Sequence, residues 1–426
     1  MSEPLFSVVI PTRNRANLLP SALQSALEQT FEDFEVIVSN NNSRDDTKAV
    51  VESFDDRKLR YVETGRTLAM PDHWEFALDH ARGQYVTYLC DDDAWCPAVL
   101  QRVAAVIASD RPKITVVGTG LYYGPNWFHD TRRNLLVIEP HSSRTLKCDS
   151  HETLKKIFKC GNLYDAPRML NSFCHRESLM RIRAETKRIF LLAPDYSFPA
   201  LTLTRIPTWV FIDEPLRLQG IFPEGIGSAQ AHNRGEPAEQ FLREFGDPDI
   251  FKKMPVKAPV STNYIGQTLA TVKELQPTAL AEFDIDWEQY FARCWFDIAE
   301  HERNGVNVEA DKQQFFDALS LQEPNLQAAV RALITAPAPP VDTRSALRKS
   351  VRNIINSSSV LTGLESFIRR PRTERTETND GNGAGPNSTL RFIHGEYGGF
   401  RDILECARRL EELERNGVNA EPARTT

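Results

Sequence analysis

From residue 6 to about 120, short apolar runs alternate with stretches whose apolar residues recur at helical spacing. That alternation confines the chain to strand-helix-strand units around a mostly parallel sheet. The predicted strands are Phe6 to Ile10, Phe34 to Ser39, Leu59 to Glu63, Tyr85 to Leu89 and Ile114 to Gly118. Leu19, Ala22, Leu23, Ala26 and Leu27 mark the first helix between them. A second follows Asp45-Asp46-Thr47, a third runs from Pro71 to a stop at Gly83, and a fourth starts near Pro97, where proline suits a first helical turn.

With 426 residues the chain exceeds one compact core, and 41% hydrophobic with 26% charged residues is an ordinary globular composition. The net charge of -7 carries no basic footprint, so no nucleic-acid partner is expected, although a nucleotide ligand is compatible with it. Seven cysteines lie scattered without a CxxC pair, which predicts reduced thiols and a cytoplasmic protein. Neither a signal peptide nor a long apolar span is recognisable.

Residues 1–227 are expected to form the first domain, with a regular half over 1–120 and a less regular half over 121–227 that includes a strand at Trp209-Val210-Phe211-Ile212. Proline, glycine and charge interrupt 228–262, which reads as a long loop or connection, and helical periodicity dominates from 263 to 334. A mainly helical extension over 228–335 is therefore predicted, then a proline-rich linker over 336–344. A basic amphipathic helix at 345–370, a flexible tether at 371–390 and a terminal helix within 391–426, about Phe400 to Arg415, complete the chain. The hexapeptide Glu302-Arg303-Asn304-Gly305-Val306-Asn307 recurs at Glu414-Arg415-Asn416-Gly417-Val418-Asn419. It reads either as an Asn-Gly helix end or as a duplicated docking element.

Pro11-Thr12-Arg13-Asn14-Arg15 follows the first strand without a glycine, so the dinucleotide fingerprint is missing from the one place it would have to be. P-loop and HExxH motifs do not occur. The fourth strand runs into Cys90-Asp91-Asp92-Asp93, which sets three carboxylates at a strand's C-terminal end, where open α/β sheets bind ligands. Oxygen donors favour a hard cation, Mg2+ or Mn2+. In an extended segment Asp91 and Asp93 would face the metal while Asp92 turned aside. The same residues also read as an acidic lead-in to the helix at Pro97.

Three segments occur in one order: Pro11 to Arg15, Val38-Ser39-Asn40-Asn41-Asn42-Ser43-Arg44-Asp45-Asp46-Thr47, and Gly83-Gln84-Tyr85-Val86 running into Asp91-Asp92-Asp93. This set resembles family 2 glycosyltransferases of the GT-A fold, strongly over residues 5 to 120 and weakly over 190 to 220. The resemblance implies a nucleotide-diphosphate sugar lying across the strand ends, with Pro11, Thr12 and Arg13 beside it and Asn40 near the base or ribose. It further implies Asp91 and Asp92 at the diphosphate, Asp93 and Asp91 on the metal, and an inverting reaction in which Asp195 is the general base. The family usually has aspartate at position 40, and the amide here leaves the choice of base open.

Plainer readings stand beside these. Asn40 to Ser43 is also a turn sequence, Arg13 and Arg15 also read as solvated surface charges, Arg15 more so, and Asp195 also suits a helix start capped by backbone N–H groups. Trp74, Trp95 and Trp127 read as sugar-stacking or as core. The leading expectation is transfer of a sugar, from a UDP-sugar first, to a hydroxyl of a glycan or lipid-linked glycan. The alternatives are a catalytically silent glycan-binding or scaffolding relative, or a sugar-1-phosphate nucleotidyltransferase, which would want a glycine-rich loop after the first strand. Residues 345–370 offer either a peripheral membrane contact or a helix packed on protein.

Overall fold

The computed structural model describes residues 3–128, 130–159, 166–225, 236–335 and 391–415. β1 (Phe6–Thr12), α1 (Leu19–Leu27), β2 (Phe34–Asn40), α2 (Thr47–Glu52), β3 (Leu59–Glu63), α3 (Met70–Asp79) and β4 (Tyr85–Tyr88) alternate along the chain. They build the parallel half of the sheet in the order β3-β2-β1-β4. Every residue of β1, β2 and β4 is buried, which is why these strands are mainly apolar, with Ser7, Glu35 and Thr87 among the polar exceptions within them. Gly83 enters β4 so close to β1 that a Cβ there would lie 2.4 Å from the Ser7 nitrogen, and only glycine fits.

The chain continues through β5 (Ala94–Trp95), α4 (Val99–Asp110), β6 (Ile114–Tyr123), β7 (Leu135–Ile138), β8 (Thr145–Asp149), α5 (Ser150–Phe158), β9 (Ser172–His175), α6 (Arg176–Thr186), α7 (Pro194–Thr202) and β10 (Thr208–Ile221). β9 lies antiparallel between β4 and β6, and β7 extends that edge. β10 runs parallel to β6 and antiparallel to β5 and β8. The predicted strand at Trp209 to Ile212 is only its first third. Two register shifts around Pro215, which has no N–H to donate, let β10 bend and run on past the end of β4.

Five helices follow: α8 (Glu236–Phe245), α9 (Ser261–Leu275), α10 (Trp287–Arg303), α11 (Glu309–Ser320) and α12 (Pro324–Thr335). α8 corrects the reading of 228–262 as loop. Its proline stands in the first turn, where a missing N–H costs nothing, and Phe241 is buried. β11 (Arg391–His394) then pairs antiparallel with β7 in a segment expected to hold only a helix, and α13 (Gly395–Gly398) and α14 (Ile403–Arg415) end the described chain.

One face of the sheet is covered by α1, α4 and α14, the other by α3, α6, α7 and the helical extension, whose apolar residues run on without a break from those of β1 and β4. α10 ends at Asn304 with Gly305 at φ +84°, the left-handed helix end that Asn-Gly suggests. The second copy of that hexapeptide runs outside the described residues, as do 336–344, 345–370 and 371–390. None of the described helices is long and apolar enough to cross a membrane, and none of the six described cysteines is in a disulfide.

Candidate active site

β4 ends one strand-width from β1, and the chain then turns sharply, with the Asp93 N–H donating to the Cys90 carbonyl at 3.2 Å. The turn folds Asp92 and Asp93 back over Cys90, so that the possible ligand atoms of Cys90, Asp92 and Asp93 lie within 4.8 Å of one another. An extended segment would have put Asp91 with Asp93 instead. The expected alternation fails because the backbone bends there, and Asp91 faces Arg15, whose Nη1 reaches Asp91 Oδ1 at 2.7 Å and Asp92 Oδ2 at 3.2 Å. Arg15 Nη2 also donates to the Glu224 carbonyl at 2.9 Å. Arg15 is thus no solvated charge: its side chain is 16% exposed, and although burial disfavours its charge, Asp91 and Asp92 outweigh that and raise its pKa.

Asp93 is more tightly held. Its Oδ2 accepts from Arg217 Nη2 at 2.5 Å and Nε at 3.2 Å, and its Oδ1 accepts the Gly220 N–H at 2.9 Å. Both side chains of this ion pair are almost fully buried. A Cβ at Gly220 would sit 1.8 Å from the Asp92 carbonyl oxygen, so glycine is what lets β10 press against the acidic turn. Burial raises the carboxyl of Asp92 to about 7 despite Arg15, with Asp93 and Asp91 pushing the same way. Burial, then the same carboxylates, push the Cys90 thiol well up, so the deprotonated donors on offer are oxygens. A crowd of partly compensated carboxylates fits a hard divalent cation held chiefly by Asp92, with Asp93 beside it.

Thr12 and Asn40 end β1 and β2 in register with one another. The Asn40 amide is used inside the fold: Nδ2 donates to the Tyr61 hydroxyl at 2.7 Å, and Oδ1 accepts from Ser43 N–H at 3.1 Å and Oγ at 2.6 Å. Asn41 clasps the loop before α3 through both the N–H and the carbonyl of Leu68, each at 2.9 Å. Arg13 pairs with Glu244 of α8. Beneath them His73 Nε2 lies 3.0 Å from Ser39 Oγ, and burial lowers its pKa to about 4, leaving a neutral ring.

Asp195 stands in the first turn of α7, where its Oδ1 is buried without a hydrogen-bond partner. It is the strongest counter-charge felt by Arg168, which also feels Arg217 and Asp93. Sequence reading missed Cys90, Arg168, Arg217 and Gly220, because nothing local in the sequence joins them to the acidic turn. Thr12 Oγ1, Arg13 Nε, Arg168 Nε, Asp195 Oδ1 and Glu224 Oε2 are all buried without partners. Buried polar atoms are normally paired, and such a gathering beside the strand ends is what a polar ligand would fill. Trp74, Trp95 and Trp127 are buried in the core.

Residues 7–164 match the model of "Glycosyl transferase family 2". This stretch is similar to the family 2 glycosyltransferases. It carries β1 to α5 and the acidic turn, whereas Asp195, Arg168 and Arg217 lie beyond the match. Over 93 residues the chain is 43% identical to the GalNAc(5)-diNAcBac-PP-undecaprenol beta-1,3-glucosyltransferase of Campylobacter jejuni, covering 21% of this chain and 30% of that one. It is 36% identical over 143 residues to the validoxylamine A glucosyltransferase of Streptomyces hygroscopicus, 32% of this chain and 33% of the relative. The chain thus spans about a third of the length of these two relatives. Among solved structures, Staphylococcus aureus TarS in complex with UDP-GlcNAc superposes with a TM-score of 0.44 at 15% identity, over 77% of this chain and 90% of that one. The mannosyltransferase PcManGT of Pyrobaculum calidifontis with GDP-Man and Mn2+ gives 0.39 at 17%, over 78% and 86%.

Proposed function

We propose that the protein transfers a sugar from a nucleotide-diphosphate sugar, with UDP-sugars the first donors to test, to a hydroxyl of a glycan or lipid-linked glycan, with inversion at the anomeric carbon. The observation that carries this reading is the acidic turn at the end of β4, where possible ligand atoms of Cys90, Asp92 and Asp93 lie within 4.8 Å of one another inside the stretch that matches the family 2 model. The printed name of the Campylobacter jejuni relative, an undecaprenol-linked glucosyltransferase, supports the class of acceptor.

In this reading Asp195 takes the proton of the acceptor hydroxyl as its oxygen attacks the anomeric carbon, and its unpartnered Oδ1 is the atom available for that proton. Arg15 fixes Asp91 and Asp92 beside the strand ends. A Mn2+ or Mg2+ ion held by Asp92 and Asp93 would offset charge gathering on the leaving diphosphate. Residues 345–370 are proposed as a peripheral contact with an anionic membrane on the cytoplasmic side, which liposome co-sedimentation with and without that segment tests.

The function is tested by calorimetric titration of UDP, GDP and dTDP, then their sugars, with and without Mn2+. One nucleotide should bind only with metal. In Asp195→Asn, turnover should fall roughly 10²- to 10⁴-fold while donor affinity stays within about twofold. Weakened donor binding with normal turnover would remove Asp195 from the role of base.

A further inference from the structure

Among the described residues, two guanidinium groups are taken up by the acidic turn. Arg15 bonds Asp91, Asp92 and the Glu224 carbonyl, and Arg217 bonds Asp93 and Thr119. Arg168 differs: its Nε is buried with no hydrogen-bond partner. Its backbone is nonetheless fixed. The Arg168 N–H donates to Asn171 Oδ1 at 2.7 Å, the Asn171 N–H returns to the Arg168 carbonyl at 3.1 Å, and Asn171 itself is 1% exposed. The helical turn Met169–Asn171, which directly follows Arg168, packs against β4, whose end carries the acidic turn, and against α7, which carries Asp195. The charges Arg168 feels agree with that position: Asp195 and Asp93 favour its charged form and Arg217 opposes it. A buried guanidinium N–H lacking an acceptor is costly unless a ligand completes it.

We propose that Arg168 binds a phosphate oxygen of the donor's terminal phosphate, the one bonded to the sugar. This rests on the glycosyltransferase reading above. In the step it serves, the bond from anomeric carbon to phosphate oxygen breaks and its electron pair leaves with that oxygen. The acceptor oxygen forms the new bond, and its proton goes to Asp195. The fork of Arg168 then meets the oxygens on which negative charge grows, while Asp195 stays on the acceptor side.

The test separates the terminal phosphate from the rest of the nucleotide. UDP and UMP, with GDP/GMP and dTDP/dTMP as parallel pairs, are titrated with Mn2+ into wild type, Arg168→Gln and Arg168→Lys. Arg168→Gln should weaken the diphosphate about 10- to 100-fold and leave the monophosphate within about twofold. Arg168→Lys should recover part of the loss, because a point charge remains while the fork is gone. It also reads the same ratio should the glutamine variant fail to fold. Equal losses for both nucleotides would show a merely structural residue, and an unchanged ratio with a raised KM for acceptor would place an acceptor anion on Arg168; either overturns the proposal. Failure of the wild type to bind any nucleotide would overturn the glycosyltransferase reading itself.

Discussion

Asp92 and Asp93 are adjacent in sequence and opposite in circumstance. Asp93 has both oxygens bonded, to Arg217 and to the Gly220 N–H, inside a buried pair. Asp92 has one long contact with Arg15. Removing one partner of a buried pair leaves the other charge stranded, so Asp93→Asn should cost roughly 3–5 kcal/mol in denaturant unfolding. Asp92→Asn should change stability by less than about 1 kcal/mol and abolish metal-dependent nucleotide binding. The reverse pattern across unfolding curves and titrations would exchange the two assignments. The acidic triplet itself is legible in the sequence, since three carboxylates at a strand end need either a cation or a helix to face. The division of labour among them is not. It depends on a turn that breaks strand alternation and on partners such as Glu224 and Arg217, far away in the chain. Arg15 looks the same in sequence whether it meets water or Asp91.

Elements were legible where their own periodicity decides them. β1 to β4 and the helices between them show it, and α8 and the far end of β10 do not, because a proline in the first turn and a bulged strand both look like loop. α10 shows what burial adds to a helix with a mixed sequence. Asp297, Glu300 and His301 all lie in its buried face. Thr262 of α9 satisfies Asp297 through its N–H at 2.9 Å and its hydroxyl at 2.7 Å. Glu300 Oε2 has no partner, and burial, reinforced by Asp297 against the weaker pull of Arg303, raises its pKa to about 8 from an ordinary 4.5. The folded protein therefore holds a proton that the unfolded chain releases near its ordinary value. Stability should fall as pH climbs through the window between those values and level off above it. Glu300→Gln should flatten that slope and be more stable than wild type by on the order of 2 kcal/mol at pH 8, with the gap shrinking toward pH 5. Thermal unfolding across this range checks it, and parallel curves for the two proteins would mean that Glu300 is ionised in the fold.

At the scale of the molecule, the segment 391–415 is part of the same sheet and core as the N-terminal half. β11 extends the β7 edge, and Ile403, Cys406, Ala407, Leu410 and Leu413 of α14 are buried beside α1 and α4 residues. Their spacing is that of one helical face, which is why a terminal helix could be read from the sequence. Its destination could not be, because a return over such a distance leaves no local trace. The Arg408 pair with Glu28 also joins α14 to α1, but both side chains are more than a third exposed, so Arg408→Ala should cost under about 1 kcal/mol. Apolar burial is the larger effect. At about 1.5–3 kcal/mol for each large side chain, an upper bound set by an extended unfolded chain, Phe400, Ile403, Leu410 and Leu413 together rival the 5–15 kcal/mol that typically holds a domain folded. A chain ended at residue 335 should therefore lose cooperative unfolding and expose apolar surface to a reporter dye, and a peptide spanning 391–415 added in trans should restore both nucleotide binding and the transition. A shortened chain melting at the wild-type temperature would mean that α1 and β5 hold their places without α14, and that the returning helix bears on some property of the protein other than the stability of its sheet.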